Sequence, residues 1–306
     1  MTSLQKASDI VAALRDRDGI DVGFSAIHLA SGQCLEINAS SLFPTASVFK
    51  VPVMVEVFRQ ARAGIFAMSD RLTLATCHKT LTSGVLVTLD DGLRPTIGDL
   101  VMLMTIVSDN TATKLLLDLV GMDKVNAAMA GYGLHDIHVA IDVHEMFLHA
   151  WGLPLDRTIG VAELRATARA KPMDYASLTF SRDRDNTVAS AADMARLMAM
   201  IAAGEVVDAE ACGSMVAIMK EQQYSERVPR YLPFGSVANK TGTMRGVRND
   251  SGIMRRGEGD DIAYAVFSFD PTPLAAGNSR FLAERNSHVA GRMAELGFEL
   301  WENLGK

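Results

Sequence analysis

Hydrophobic and polar positions along the chain predict strands near both ends and helices between them. Runs of apolar and β-branched residues bounded by turn residues predict the strands. These runs are residues 20–29, 33–38, 235–241, 250–255 and 261–269. Ser31 and Gly32 supply a tight turn between the first two runs, which therefore form a hairpin.

Apolar positions at helical spacing predict the helices. The predicted helices are residues 2–17, 47–62, a run opened by Thr96, 112–120, a run from Asp123 to about Gly131, 191–203, 209–222 and 281–302. Residues 135–190 show mixed loops and one possible short helix near 161–170.

Segregated strands and helices indicate an α+β fold. We expect an antiparallel five-stranded sheet flanked by helices, together with an all-helical subdomain. We assign residues 1–62 and 223–306 to the sheet part and residues 63–222 to the helical part of a single domain.

Composition is that of a soluble globular protein: 306 residues, 48% apolar and 22% charged, with a formal net charge of −6. Nucleic-acid binding would require a basic surface, and no apolar run is long enough to span a membrane, so neither partner is expected. The N-terminus has no signal-peptide pattern. We therefore expect a cytoplasmic location for the chain as written, or a periplasmic or secreted one if a signal was removed. Three separated cysteines imply no disulfide framework.

One predicted helix contains an unusual charge. Lys50 is the only charged residue between Val48 and Val55. A helix this apolar on every side is expected to be buried, and a buried ammonium is costly unless it is paired or deprotonated. Ser47 precedes it by three residues, which places both side chains on one helix face. A hydroxyl beside such an amine is the arrangement of an activated nucleophile.

The spacing alone is weak evidence, because Ser3 and Lys6 repeat it in a helix where both are expected to be exposed. Two downstream tripeptides strengthen the interpretation, since each is rare by chance in a chain of this length. They are Ser108-Asp109-Asn110, at the break between two predicted helices, and Lys240-Thr241-Gly242, on the first closing strand.

The three motifs in this order are typical of class A β-lactamases and penicillin-binding proteins. The chain resembles the class A β-lactamase-like serine hydrolases over most of its length. The resemblance implies that Ser47 attacks an amide or ester carbonyl to form an acyl-enzyme and that Lys50 takes its proton. Ser108 would relay a proton to the leaving nitrogen, Asn110 would hold Lys50 and the substrate amide, and Lys240 would anchor a substrate carboxylate.

The resemblance also implies which residues bind the substrate. These are Thr241, Gly242, Thr243 and Arg248. Backbone N–H groups of Ser47 and Thr243 would hold the oxyanion. Arg248 stands where related enzymes often place a guanidinium that recognises the substrate carboxylate, and the alternative is an exposed strand or loop arginine. Arg245 is a weaker candidate for the same role.

The chain departs from the family pattern in one respect. Many class A β-lactamases carry Glu-x-x-Leu-Asn, whose glutamate activates the water that hydrolyses the acyl-enzyme, and this chain lacks that motif. The region near residues 138–170 is expected to be longer than in those enzymes, and it is named here the rebuilt region. Asp174 is the predicted substitute base, with a solvated loop carboxylate as the alternative.

The rebuilt region is rich in histidine: His135, His138, His144 and His149. Their spacing fits no standard zinc motif, so we expect surface or packing histidines. No metal and no cofactor are predicted.

The predicted function is that of a serine hydrolase acting through an acyl-enzyme on a small amide or ester that carries a carboxylate, with a β-lactam as the favoured substrate. Two alternatives stay open. A D-alanyl-D-alanine-type peptidase or transpeptidase is favoured by the missing glutamate, and the missing signal peptide counts against it. A sensor or binding protein would be acylated and stay acylated. The natural substrate and the oligomeric state are not determined by the sequence.

Overall fold

A computed structural model describes residues 3–272 and 279–306. The chain divides into two units, here named the sheet unit (residues 1–48 and 189–306) and the helical unit (residues 49–188). The predicted exposure of Lys6 is confirmed, whereas the side chain of Ser3 lies outside the described residues.

The described residues form ten α-helices and seven strands. In chain order they are α1 (Ser3–Asp16), β1 (Asp21–His28), β2 (Cys34–Ile37), β3 (Leu42–Pro44), α2 (Lys50–Arg62), α3 (Ile97–Ile106), α4 (Asn110–Val120), α5 (Met122–Gly131), α6 (Val143–Ala150), α7 (Val161–Ala170), β4 (Val188–Ser190), α8 (Ala191–Ala203), α9 (Ala209–Lys220), β5 (Val237–Met244), β6 (Val247–Arg255), β7 (Asp261–Phe269) and α10 (Ser279–Asn303).

The sheet unit is built on a five-stranded sheet in the order β2-β1-β7-β6-β5, with every neighbouring pair antiparallel. This confirms the predicted α+β fold. β5 and β6 extend further toward each other than the sequence pattern indicated, and they are joined only by Arg245 and Gly246. Gly246 has a φ of 75°, a backbone conformation that favours glycine in a tight hairpin.

Alternate residues of the strands face opposite sides of the sheet. Val22, Phe24 and Ala26 of β1 join Tyr264 and Val266 of β7 in a core cluster to which α1 and α10 contribute. α8 contacts β1, β6 and β7, and α9 contacts β5. Since neither α8 nor α9 contributes to that cluster, they cover the other face of the sheet.

The subdomain boundaries differ from those predicted. α8 and α9 belong to the sheet unit because they pack on its strands, although the sequence pattern grouped them with the helices that precede them. α2 belongs to the helical unit because it packs against α3, α4 and α5. This packing on several sides explains why every residue of α2 from Lys50 to Phe58 is buried.

α6 lies in the region where the sequence pattern indicated mainly loops. Its first turn is closed by a capping box: the Asp142 carboxylate accepts from the backbone of His144 and Glu145, and Glu145 accepts from the Asp142 N–H at 2.9 Å. Such a reciprocal cap satisfies N–H groups that a helix end leaves without partners. Leu148 anchors the helix in a small apolar cluster that also contains Leu81. The short helix predicted near 161–170 is confirmed as α7.

No helix within residues 3–272 and 279–306 combines the length and apolar character required to cross a bilayer.

Candidate active site

The predicted site residues fall into two sets, one in each unit. The sheet unit contains Ser47, Lys240, Thr241, Gly242, Thr243 and Arg248, and the helical unit contains Lys50, Ser108, Asn110 and Asp174.

In the helical unit, the structure brings Lys50, Ser108 and Asn110 together. The Lys50 side chain is 1% exposed. Its Nζ donates to the Ser108 carbonyl oxygen at 2.7 Å, to Ser108 Oγ at 3.0 Å and to Asn110 Oδ1 at 2.7 Å. These three acceptors are all uncharged, and their hydrogen bonds offset part of the cost of desolvating this amine.

Ser108 and Asn110 owe their positions to the break between α3 and α4. Ser108 has a φ of 56°, a left-handed conformation that costs a serine about 1–3 kcal/mol and persists only where surrounding contacts enforce it. Asp109 supplies such contacts because it caps α4 through Ala112 N at 2.9 Å. The same carboxylate accepts from the backbone of Val85 and Leu86.

The segment before Gly84 supports the other side of Asn110. Asn110 Nδ2 donates to the Leu81 carbonyl oxygen at 2.8 Å and to Thr82 Oγ1 at 2.7 Å, which fixes the amide with its oxygen toward Lys50. Gly84 is required here because a Cβ would lie 2.2 Å from the Asp109 carboxylate, and its φ is 101°.

In the sheet unit, Ser47 lies in a one-turn 3₁₀ helix, Ala46–Phe49, that leads along the chain into α2. Its side chain is partly exposed, whereas Ala46 and Val48 are buried. Ala46 has a φ of 45°, so this turn also begins with a strained residue. Asn249 of β6 holds the backbone just before it, donating from Nδ2 to the carbonyl oxygens of Pro44 (2.9 Å) and Thr45 (3.0 Å).

Gly242 brings edge strand β5 against the same turn. A Cβ at this position would lie 2.5 Å from the Thr45 carbonyl oxygen and 3.1 Å from the Val48 side chain, so a larger residue is excluded. Thr243 follows on β5 and is exposed. The predicted oxyanion donors, the N–H groups of Ser47 and Thr243, therefore lie on two segments of the sheet unit that Gly242 allows to pack closely.

Lys240 is fully buried on β5, and its Nζ donates to the Thr241 carbonyl oxygen at 2.8 Å. Burial lowers its pKa to about 7; the nearby Arg227 guanidinium acts in the same direction, and Asp250 opposes both. Near neutral pH this residue therefore changes between an ammonium that attracts anions and a neutral amine.

Arg248 does not present its guanidinium as the sequence comparison suggested. Its Nη1 donates to the carbonyl oxygens of Met244 (2.6 Å) and Val247 (2.8 Å), which closes the β5–β6 hairpin. Burial lowers its pKa to about 10, so it remains protonated near neutral pH. Arg245, the weaker candidate, lies in the hairpin turn.

Arg227 is the arginine that reaches the exposed threonine. Its buried guanidinium donates to the Gly242 carbonyl oxygen at 2.8 Å, and it also bonds to Thr243 Oγ1 and to the Asn249 carbonyl oxygen. The sequence did not identify it because no local pattern separates it from Arg230, which packs over the Tyr231 ring instead. Its partners are 15–22 residues away along the chain.

Asp174, the predicted substitute base, lies in the exposed segment after α7. One carboxylate oxygen accepts from Ala176 N at 2.9 Å, and the Asp174 N–H donates to Ala150 O at 2.7 Å. Within the part of the chain that the structure describes, no recorded hydrogen bond links it to Lys50 or to either residue that Lys50 contacts. The arrangement is that of a solvated turn residue.

The family model described as the β-lactamase enzyme family matches residues 5–297. This chain belongs to the β-lactamase enzyme family. The resemblance that the three sequence motifs predicted is thus confirmed.

Similar solved structures include a β-lactamase from Sphaerobacter thermophilus, 29% identical over 98% of this chain and 97% of that chain, with a TM-score of 0.75. A representative class A β-lactamase from Bacteroides cellulosilyticus is 20% identical over 99% of each chain, with a TM-score of 0.74. PBP-A is 19% identical over 97% of this chain and 94% of its own, with a TM-score of 0.75. The last two are similar in fold alone. A search of curated proteins found no match.

As a β-lactamase family member, the chain contains a near match to Glu-x-x-Leu-Asn that the sequence analysis missed. Glu145-Met146-Phe147-Leu148-His149 agrees at the glutamate and the leucine and carries histidine in place of asparagine. Allowing one substitution in the fifth position would have found it.

The structure places this run in α6, beside the residues that hold Asn110. Leu148 packs in the same cluster as Leu81, whose carbonyl oxygen accepts from Asn110. His144 Nδ1 lies 3.2 Å from Thr80 Oγ1 in the same segment. The Glu145 carboxylate is partly exposed and lies 3.5 Å from the Arg157 guanidinium. Contacts thus connect α6 to the segment that holds Asn110, and Asp174 in turn bonds to Ala150 at the end of α6.

The histidine-rich region was expected to bind no metal, and that stays a prediction. Within the two described ranges, no group of three or more His, Cys, Asp or Glu side chains is positioned to hold a metal ion.

Proposed function

We propose that this protein is a serine hydrolase that forms an acyl-enzyme on Ser47 and cleaves the amide bond of a β-lactam or a related small amide or ester carrying a carboxylate. The observation that carries the proposal is the position of Lys50. This buried lysine follows the partly exposed Ser47 by three residues, and its Nζ contacts Ser108 and Asn110. Family membership supports the hydrolase class.

In the proposed acylation, deprotonated Lys50 accepts the hydroxyl proton of Ser47 as Oγ attacks the carbonyl carbon. The carbonyl electron pair moves onto its oxygen, where the N–H groups of Ser47 and Thr243 stabilise the charge. When the pair returns, the carbon–nitrogen bond breaks and the nitrogen takes a proton from Ser108. Lys50 restores that proton through its contact with Ser108 Oγ, at 3.0 Å.

The proposed carboxylate site consists of Lys240, Thr241 and Thr243, with Arg227 in the place first given to Arg248. The Arg227 guanidinium bonds to Thr243 Oγ1 and contributes positive charge beside that hydroxyl. A carboxylate is held most strongly by cations and hydroxyl donors in a desolvated site. Because the pKa of Lys240 is about 7, its share of this attraction is largest below neutral pH.

The proposed base for deacylation is Glu145. A carboxylate that accepts a proton from water generates the nucleophile that releases the acyl group. Its position in a Glu-x-x-Leu run, on a helix connected to the residues around Asn110, favours it over Asp174.

A second candidate function is slow or arrested deacylation, as in a penicillin-binding protein or sensor. Two observations favour it: the Glu145 carboxylate is already engaged by Asp142 N and Arg157, and His149 stands in the fifth motif position. Among the structural neighbours is an acyl-enzyme complex of a PBP-A mutant with penicillin G.

Intact-mass spectrometry after mixing with penicillin G tests the acylation and separates the two functions. We expect an adduct on the wild-type protein and none on Ser47→Ala. Ser3→Ala is the matched control because Ser3 has the same spacing to a lysine, and it should acylate normally. Return to the free mass within the time course supports the hydrolase, whereas a persistent adduct supports the slow variant. A wild-type protein that forms no adduct with penicillins, cephalosporins or chromogenic esters would overturn the proposal.

A further inference from the structure

A buried carboxylate lies on β6, the neighbour of β5, which carries most of the proposed carboxylate site. Asp250 of β6 is 0% exposed. One of its oxygens accepts from Asn239 Nδ2 at 2.8 Å and from the Tyr264 hydroxyl at 3.2 Å, and the other accepts from Val228 N at 3.2 Å. Burial raises its pKa to about 6, while these donors and the Arg227 guanidinium act in the opposite direction. The catalytic steps proposed above do not use this group.

The contact with Val228 links Asp250 to Arg227. Val228 follows Arg227 and begins a 3₁₀ helix that ends at Tyr231. By accepting from the Val228 N–H, Asp250 holds the backbone from which the Arg227 side chain extends. That guanidinium in turn bonds to the backbone of Gly242 and to Thr243 Oγ1. The chain of contacts lies entirely within the sheet unit.

Asp250 also acts as a negative charge on two buried cations. Arg227 and Lys240 are 2% and 0% exposed, and the charge on Arg227 lowers the pKa of Lys240, whereas Asp250 raises it. Asp250 pairs in register with Thr241, the residue after Lys240. Removing a buried charge that offsets two others is costly, so we expect its loss to affect both cations.

We propose that Asp250 is a positioning residue for carboxylate recognition: it fixes Arg227 through the Val228 amide, and its charge keeps Lys240 protonated where the substrate carboxylate binds. The inference rests on the proposed function.

The groups that act on this cluster give the pH dependence a definite sign. They are Arg227, Lys240, Tyr264 and, through its attraction to Arg227, Glu226. Burial raises the pKa of Tyr264 well above its usual value, so it donates as a neutral hydroxyl. Carboxylate binding weakens as pH rises through the Lys240 pKa of about 7. Without the Asp250 charge that pKa falls further, so binding weakens at a lower pH.

The test compares the acylation of Asp250→Asn by a chromogenic β-lactam and by its methyl ester. Adduct formation on Ser47 is followed by mass, which requires no turnover. We expect the second-order rate constant for the carboxylate substrate to fall about fivefold at pH 7, where a drop of about one unit in the Lys240 pKa from about 7 reduces the protonated fraction from about one half to about one tenth. The constant for the methyl ester should change less than about twofold. The basic limb of the pH profile should move to lower pH for the carboxylate substrate only.

Asp261→Asn is the matched control, since Asp261 is a buried aspartate of the same sheet that pairs with Arg255 at 3.0 Å. It should change neither substrate preference nor pH profile. If Asp250→Asn does not fold, Tyr264→Phe is tested in its place. Loss of the Tyr264 hydroxyl donor raises the pKa of Asp250, so this carboxylate loses its charge at a higher pH. That variant should show the same selective loss between pH 6 and 7, and it should be smaller.

Equal losses for both substrates, or an unmoved basic limb, would show that Asp250 has only a structural role. Absence of any adduct on the wild-type protein would instead contradict the proposed function, so the two failures are distinguishable.

Discussion

Two of the buried lysines, Lys50 in the helical unit and Lys240 in the sheet unit, are held in different ways. Lys50 of the helical unit contacts a carbonyl, a hydroxyl and an amide oxygen, all neutral. Lys240 of the sheet unit lies in the field of a guanidinium and a carboxylate. Neutral acceptors suit a group that must exchange a proton with its neighbours, whereas a cluster of fixed charges suits recognition of an anion. We infer a division of labour, with proton transfer in the helical unit and carboxylate recognition in the sheet unit.

The largest expected effect comes from Lys50→Ala, which removes the proposed base. General-base catalysis contributes about 10²–10⁴-fold, so we expect a loss of that order in the rate of Ser47 acylation. The loss should be the same for a β-lactam and for its methyl ester, because proton transfer does not depend on the carboxylate. Lys6→Ala is the control. A loss confined to the free carboxylate substrate would contradict the division of labour.

Glu145→Gln should act on the second half of the reaction. If Glu145 activates water, deacylation should slow by about 10²-fold or more while acylation stays within about twofold. A time course of intact mass after a short pulse of β-lactam measures both rates. Asp174→Asn should leave both unchanged, and a slow deacylation in that variant instead would return the role to the loop carboxylate.

Lys240→Gln should weaken recognition of the free carboxylate. Losing a charge-assisted contact in a desolvated site costs about tenfold or more in binding, so KM for the carboxylate substrate should rise and its basic limb near pH 7 should disappear. The methyl ester should be affected far less. Steady-state kinetics between pH 5 and 9 measure both effects. If the basic limb near pH 7 remains in Lys240→Gln, it arises from the titration of another group.

The smallest effects separate the two arginines. Arg227→Gln should reduce carboxylate acylation by a few-fold, since it removes the donor to Thr243 Oγ1. Arg248→Gln should lower the midpoint of thermal unfolding by a few degrees, because the β5–β6 hairpin loses two hydrogen bonds, and substrate preference should stay unchanged. If Arg248→Gln reduces carboxylate acylation and Arg227→Gln does not, carboxylate recognition belongs to Arg248, as the sequence analysis expected.

Short sequence motifs made some site residues predictable, whereas the residues whose roles depend on contacts between distant parts of the chain were not predicted. Ser47, Ser108 and Lys240 each lie in a short run whose residue types are constrained together, so the sequence located them. Arg227 acquires its role from partners on β5 and β6 that no local pattern connects to it. The contact between Asp250 and the Val228 amide likewise forms only in the fold, because 22 residues separate the two in the sequence.

The fold shows the same contrast between local and distant information. All five strands of the sheet follow local apolar runs, and they were predicted close to their observed positions. α6 was missed although five of its eight residues are apolar, with Val143, Met146, Phe147 and Ala150 at helical spacing, and although Asp142 and Glu145 formed a readable capping pattern. The assignment of α8 and α9 to the sheet unit depends on which surface they cover, and amphipathic spacing alone does not specify that surface.

Identification of the acylated residue tests the proposed roles of Ser47 and Lys50 most directly. The protein is reacted with penicillin G, digested and examined by peptide mass spectrometry. We expect a penicilloyl group on the peptide that contains Ser47, and none on that peptide in Lys50→Ala at the same reaction time. An adduct on any other serine, or an unchanged adduct on Ser47 without Lys50, would contradict these roles.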